Sequence, residues 1–313
     1  MRARAGPLGH HRHGGPRQYR AAAAEGQGQA AGPGRRQALI RFPARKDGFS
    51  LGGELLLPER APRACAVVAG AMAVRAKFYA PFARYLAEQG IAALIFDYRG
   101  IGASRPDGSL RGFEAHFHDW GEKDIGGAID LLTARFPGLP LYFVGHSAGS
   151  QLMGLVPDAP VKSALFVASG TAYWRAYHGR ARAFMGTLWY ALIPTFTALY
   201  GYLPMRLVGQ GDDVPLGVAR EWAKWGKDPR YVYSYAAPRG GLGYTRYMGP
   251  LRMLAFADDN YAPKTAAESL LSLYTAARKE LQLRPGPVGH FGFFRNPELW
   301  PEQIAWLQRS DVL

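Results

Sequence analysis

Gly145-His146-Ser147-Ala148-Gly149 limits what this chain can fold into more than any other stretch. Residues 141–144 before it are a short apolar run fit for a buried strand, and residues 150–153 after it fit the start of a helix. A strand can pass into a helix over so few residues only through a strained turn. The positions two before and two after the serine then crowd neighbouring backbone and must be very small. Glycine occupies both, Gly145 and Gly149. Ser147 would stand at a helix N-terminus, where partial positive charge favours a developing anion. Five-residue patterns recur by chance; the flanking strand and helix make this one specific.

The rest of the chain supplies a sheet for that turn to sit in. Of the 313 residues 48% are hydrophobic, enough for one large α/β domain. Residues 38–42 and 49–57 read as strands joined through Lys46-Asp47-Gly48, where Asp-Gly is a hairpin signal. A buried strand at 65–69 precedes a helix with Phe78, Phe82, Tyr85 and Leu86 on one face, closed by Gly90. Residues 91–96 are an apolar strand. Asp119, with Glu122 three residues on, opens a helix that buries Ile125, Ala128, Ile129, Leu132 and Phe136 and stops at Pro137-Gly138. Strands follow at 161–168, 251–257 and 280–283, with helices at 263–277 and 298–309. This alternation predicts an α/β fold: a mostly parallel sheet with helices on both faces and the opening hairpin at one edge.

Residues 171–250 break the alternation, being rich in Tyr and Trp with several Pro and Gly. They read as a mainly helical cap over the side where the loops after the strands gather. Four parts are therefore expected: a basic disordered segment at 1–37, a core at 38–170, a cap insertion at 171–250, and the second part of the core at 251–313. Within the cap, residues 183–203 carry no charge over 21 positions, a length that could span a bilayer. Pro194 in mid-run, with Gly186, Thr187, Tyr190, Thr195 and Thr197, favours two helices of an apolar cap, with weak membrane-surface contact as a minor variant.

The formal net charge is +14, and residues 1–37 contribute seven arginines against one acid. Without periodicity or an apolar core this segment reads as a solvated tail rather than a nucleic-acid arm or a secretory signal, and no nucleic-acid partner is expected. Cys65 is the one cysteine, which rules out an intramolecular disulfide and suits a reducing, cytoplasmic setting. It lies in an apolar strand and reads as a small core residue.

A strand, an exposed serine and a helix in that order form the nucleophile-elbow pattern. Acyl transfer by serine also requires a histidine to take its proton, an acid to orient that histidine, and two N–H donors for the oxyanion. After Ser147 the histidines are His178 and His290, and His290 alone follows a strand that ends in acids, Asp258 and Asp259. Two further stretches complete a resemblance. Asp97-Tyr98-Arg99-Gly100-Ile101-Gly102-Ala103-Ser104 is similar to an Asp-x-Arg-Gly-x-Gly-x-Ser turn after a central strand, and Ala69-Gly70-Ala71-Met72 stands where many relatives carry His-Gly. Over roughly residues 38–310 the chain resembles the α/β-hydrolases, close to bacterial predicted hydrolases grouped with serine aminopeptidase, monoacylglycerol lipase and lysophospholipase-like proteins.

That resemblance implies the order Ser, acid, His. The acid commonly stands four residues before a proline, so Pro263 selects Asp259, with Asp258 as alternative. Ser147, Asp259 and His290 are then the expected triad. The backbone N–H groups of Ala148 and Ala71 are the expected oxyanion donors, with Met72 as alternative to Ala71. Asp97 and Arg99 read as structural, through local pairing, and His146 as a packing residue on the elbow. The expected chemistry is serine hydrolysis of an ester, thioester or amide of a small, fairly apolar acyl substrate. An acyltransferase and a non-catalytic binder on the same fold are the alternatives. No cofactor is expected. His116-Phe117-His118-Asp119 is a weak metal signal, since it departs from the spacing of binuclear zinc hydrolases and no His-Glu-x-x-His is present; no metal is expected.

Overall fold

The computed structural model describes residues 37–309. The basic segment expected at 1–37 lies outside the described residues except for Gln37, which begins the first strand. The described residues hold ten strands: β1 (Gln37–Pro43), β2 (Ser50–Leu56), β3 (Ala64–Ala69), β4 (Ile91–Phe96), β5 (Leu141–His146), β6 (Val161–Val167), β7 (Tyr202–Leu203), β8 (Val214–Pro215), β9 (Pro250–Phe256) and β10 (Arg278–Arg284). Eight form one sheet in the order β1-β2-β4-β3-β5-β6-β9-β10, and β7 pairs with β8 as a separate ribbon. The β1–β2 and β2–β4 pairs are antiparallel, and the others in the large sheet are parallel. The expected hairpin is thus at the edge, and the parallel strands carry the site.

Strands β3, β4 and β5 are buried along their whole length, as strands covered on both faces must be. Their side chains alternate between two layers of core. Cys65, Val67 and Ala69 of β3 join Ile129, Leu132 and Phe143 on one face. Ala66 and Val68 join Phe82, Leu86, Trp300 and Ile304 on the other. The helix Ala80–Glu88 closes at Gly90, whose φ of 81° a residue with a side chain would resist. The helix placed at Asp119 begins earlier, at Phe117, because the Asp119 carboxylate reaches back to the His116 N–H at 2.8 Å. Asp119 caps from the third helical position instead of opening the helix.

Arg99 and Asp97 do not pair with each other. Arg99 is 4% exposed and joins Asp124 to Asp47 of the hairpin turn at 2.7–2.8 Å. Burial works against its charge, and the hydrogen bonds and charges of Asp47 and Asp124 outweigh it. Asp97 instead accepts the N–H groups of Ala76 and Ala103, pinning the loops after β3 and β4.

The chain leaves the sheet after β6 and returns at β9, and the helical cap lies between. Residues 183–203 are not two helices. Gly179–Thr187, a wider π-helical turn at Leu188–Leu192, and Ile193–Tyr200 follow one another without a break. Pro194 has no amide to donate, and it enters where the π turn has already shifted the bonding pattern. Among the described residues no helix is long and apolar enough to cross a membrane.

Cys65 is 1% exposed and burial pushes its thiol up to about 11. Ellman's reagent should therefore read no thiol in the folded protein at neutral pH and one thiol in denaturant; a rapid reaction without denaturant would contradict this packing.

Candidate active site

The elbow has the geometry its sequence requires. Ser147 sits at φ 50°, ψ −112°, between β5 and the helix Ala148–Leu152. A Cβ at Gly145 would lie 2.6 Å from the backbone of Ser150, and one at Gly149 would lie 2.2 Å from the Ala69 carbonyl oxygen. Both distances are impossible, so the two glycines are what let the turn close. The Ser147 N–H donates to Val167 O at 3.1 Å and its carbonyl accepts the Ser169 hydroxyl at 2.7 Å, which fixes the turn against the end of β6.

The two acids after β9 separate by environment. Asp259 is 4% exposed, and its Oδ2 accepts the His290 Nδ1–H at 2.8 Å. Its Oδ1 accepts the N–H groups of Tyr261 and Ala262 at 2.8 and 3.0 Å. Asp258 is exposed and accepts the Val288 N–H at 2.9 Å, steadying the loop that carries His290. A carboxylate can only accept, so the His290 proton sits on Nδ1 and leaves Nε2 as an acceptor. His178, the other histidine after Ser147, stands at the position before the cap helix Gly179–Thr187, with no side-chain capping hydrogen bond. Ser147 and His290 line the same cavity, and among the described residues no hydrogen bond joins the two side chains.

That cavity holds about 500 Å³ and has an apolar wall. Phe184, Leu188, Leu192 and Phe196 supply it from the cap helix, with Met205 and Trp222 from later in the cap and Gln151 beside the serine. The sequence carries a signal for the helix residues that the motif reading passes over: they recur every four positions, one stripe of a helix. A stripe of that kind reads as core until the cap is seen to stand off the sheet.

Ala71 lines the cavity, but its N–H donates to the Tyr79 hydroxyl at 2.8 Å. It is therefore not free for a ligand. Met72, the alternative, also lines the cavity, and its N–H has no protein acceptor among the described residues. Ala148 provides the first amide of the elbow helix, which has no partner within that helix.

The Tyr79 contact belongs to a chain of hydrogen bonds whose directions are fixed by chemistry. The Ala71 amide can only donate, so Tyr79 gives its single proton to His146 Nδ1, 2.8 Å away. His146 then carries its own proton on Nε2 and donates it to the His290 carbonyl at 2.9 Å. Burial, with a smaller contribution from nearby His290, holds His146 well below the usual imidazole range, so it stays neutral. The reading of His146 as packing alone was incomplete. It ties the loop after β3, the elbow and the loop after β10 together.

The cap is fastened to this site by polar contacts. Tyr231 donates to Gln151 Oε1 at 2.8 Å, and Tyr177 donates to the Tyr261 carbonyl beside Asp259 at 2.8 Å. His118 and Glu221 join core to cap at 2.9 Å. Ligand atoms of His116, His118 and Asp119 lie within 4.8 Å of one another. The donor set does not suit a metal: the Asp119 carboxylate is engaged by the His116 N–H and by Lys123 Nζ at 2.8 Å, so an ammonium already supplies the positive charge there.

Residues 60–237 match the family described as Serine aminopeptidase, S33. Among solved structures, the chain is similar to a carboxyl esterase from Bacillus coagulans (TM-score 0.60, 13% identity, 88% of this chain and 98% of that one). It is also similar to an esterase from Pyrococcus furiosus (TM-score 0.55, 13% identity, 87% and 92%). A structure described as the open form of a lipase matches with TM-score 0.62 at 15% identity, over 88% of this chain and 100% of that one. At these identities the likeness is one of fold, with an eight-stranded, mostly parallel sheet bearing helices and a helical cap. No curated protein matches the chain by sequence.

Removing the Tyr79 hydroxyl strands two buried polar groups, the Ala71 N–H and His146 Nδ1. Tyr79→Phe should cost about 1–3 kcal/mol of stability in urea unfolding; an unchanged midpoint would mean that the relay contributes nothing.

Proposed function

The chain belongs to the Serine aminopeptidase, S33, family of hydrolases, and on that basis we propose that it is a cytoplasmic serine hydrolase that cleaves an ester of an apolar acyl group through Ser147, His290 and Asp259. One observation carries this reading: a serine on a strained elbow and an Asp-oriented histidine face a single apolar cavity of about 500 Å³. Ser147 attacks the acyl carbonyl as its proton passes to His290 Nε2. Asp259 holds the imidazole with its proton on Nδ1 and stabilises the cation that forms. The Ala148 and Met72 N–H groups take the oxyanion, Met72 replacing Ala71 because the latter's amide is engaged by Tyr79. His290 gives its proton to the leaving alcohol and then activates water against the acyl-enzyme.

The wall of the cavity supports an acyl chain over a peptide. Its lining includes Phe184, Leu188, Leu192, Phe196 and Met205, and among the described residues it has no acidic side chain able to hold a free amino terminus. An ester carbonyl at Ser147 would send its chain along the stripe of the cap helix.

Ser147→Ala should abolish labelling by a fluorophosphonate and lower hydrolysis of p-nitrophenyl esters by at least about 10³-fold. Asp259→Asn should cost about 10⁴ in kcat, whereas Asp258→Asn should retain most activity. Labelling that survives Ser147→Ala, or aminoacyl anilides cleaved in preference to acyl esters, would overturn the assignment.

A further inference from the structure

We propose that the outer face of the cap helix docks on a lipid bilayer carrying anionic headgroups. The helical run from Gly179 to Tyr200 turns its apolar stripe inward to the cavity, and a helix so placed ordinarily turns charge outward. This one does not. Its exposed positions from 183 onward are Ala183, Phe184, Thr187, Tyr190, Ala191, Pro194, Thr195, Ala198 and Leu199, none charged. Tyr190 is 58% exposed and Leu199 66%, and the following turn adds Leu207 at 67% and Val208 at 55%. Isolated exposed apolar residues need no explanation, but of the nine exposed large apolar side chains among the described residues five fall within 184–208.

The charge on the segment that carries this face is basic, although Arg206 is paired with Asp212 and so leaves Arg175, Arg180 and Arg182 as its free cations among the described residues. Residues 171–211 hold four arginines, Arg175, Arg180, Arg182 and Arg206, and no acid. Two of them lie over the Trp174 ring, Arg175 at 5.0 Å and Arg182 at 5.1 Å, while Lys227 lies over Tyr190 at 5.2 Å. Trp174 and Tyr190 meet edge to face at 6.0 Å. Aromatic rings with an apolar body and a polar edge, set among arginine and lysine beside an uncharged helix face, match the headgroup level of a membrane. A second copy of the chain is the poorer occupant, since a self-complementary contact here would bring like charges together. The absence of a spanning helix among the described residues limits the contact to lying on the surface. Phe184 and Val208 belong both to this face and to the cavity wall, so docking would set the cavity entrance against the acyl region.

The test is vesicle co-sedimentation of the full chain, read without turnover and so independent of the proposed reaction. The vesicles are phosphatidylcholine alone or mixed with phosphatidylglycerol. Binding is expected to the mixed vesicles and to weaken with salt. Arg180→Glu/Arg182→Glu and Tyr190→Glu/Leu199→Glu are each expected to lower it about tenfold or more, with thermal unfolding unchanged. The proposal is overturned if the wild type stays in the supernatant with mixed vesicles. Binding by both double variants as by the wild type would also overturn it, because the basic residues 1–36 would then account for the attraction. So would concentration-dependent self-association that Tyr190→Glu/Leu199→Glu abolishes, since the occupant would then be a second copy.

Discussion

A serine held at positive φ between a buried strand and a short helix is the constraint on which the rest of the site depends. Such a conformation costs on the order of 1–3 kcal/mol and persists only where the surroundings over-determine it. Here they do. β5 is hydrogen-bonded on both sides, by β3 and β6, so the approach to the turn cannot shift. Gly145 and Gly149 let the turn close against Ser150 and Ala69, and Ser169 and Val167 hold the peptide groups of Ser147 itself. The strain is borne by the sheet, and the serine is presented at the C-terminal end of an interior strand with little freedom to retreat.

The loops around that serine are then coupled to it, and through it to each other. The relay from Ala71 through Tyr79 and His146 to the His290 carbonyl is buried, neutral and fixed in direction. Asp259 holds the imidazole of the same histidine while Asp258 holds the loop that bears it. Two adjacent carboxylates thus do different work, because one is buried under backbone donors and the other is not. Preorganisation of this kind belongs to chemistry in which donors must be in place before charge develops.

The cap is joined to the core by apolar packing, in which Trp189, Trp225 and Tyr231 share one buried cluster with Phe117 and Leu152, and by polar contacts around the cavity. Arg75 and Arg206 converge on Asp212, which burial would push toward protonation and which the two guanidinium groups hold below the usual carboxylate range. His118 with Glu221, Tyr231 with Gln151 and Tyr177 with Tyr261 make further links. A cap held this way keeps its register over the site while its outer surface is free to be something other than an ordinary polar face.

The sequence by itself determined the sheet, the elbow and the candidate triad. Apolar runs and the 3.6-residue helical period are set by local side-chain direction; Gly145 is demanded by Ser150 five residues on, while Gly149 makes room for the Ala69 carbonyl of the neighbouring strand. His290 and Asp259 were legible through chain order and a proline; the same logic could not tell Ala71 from Met72. That choice, the relay through His146 and the partners of Arg99 and Asp97 were decided by the tertiary structure, because a hydrogen-bond donor is committed by whichever acceptor packing brings to it. Tyr79 lies eight residues from Ala71 and 67 from His146. The continuity of the cap helix through Pro194 was also a tertiary outcome. A π turn absorbs the missing amide there, and the stripe of residues 184–196 can line a cavity only because the sheet lies beneath it.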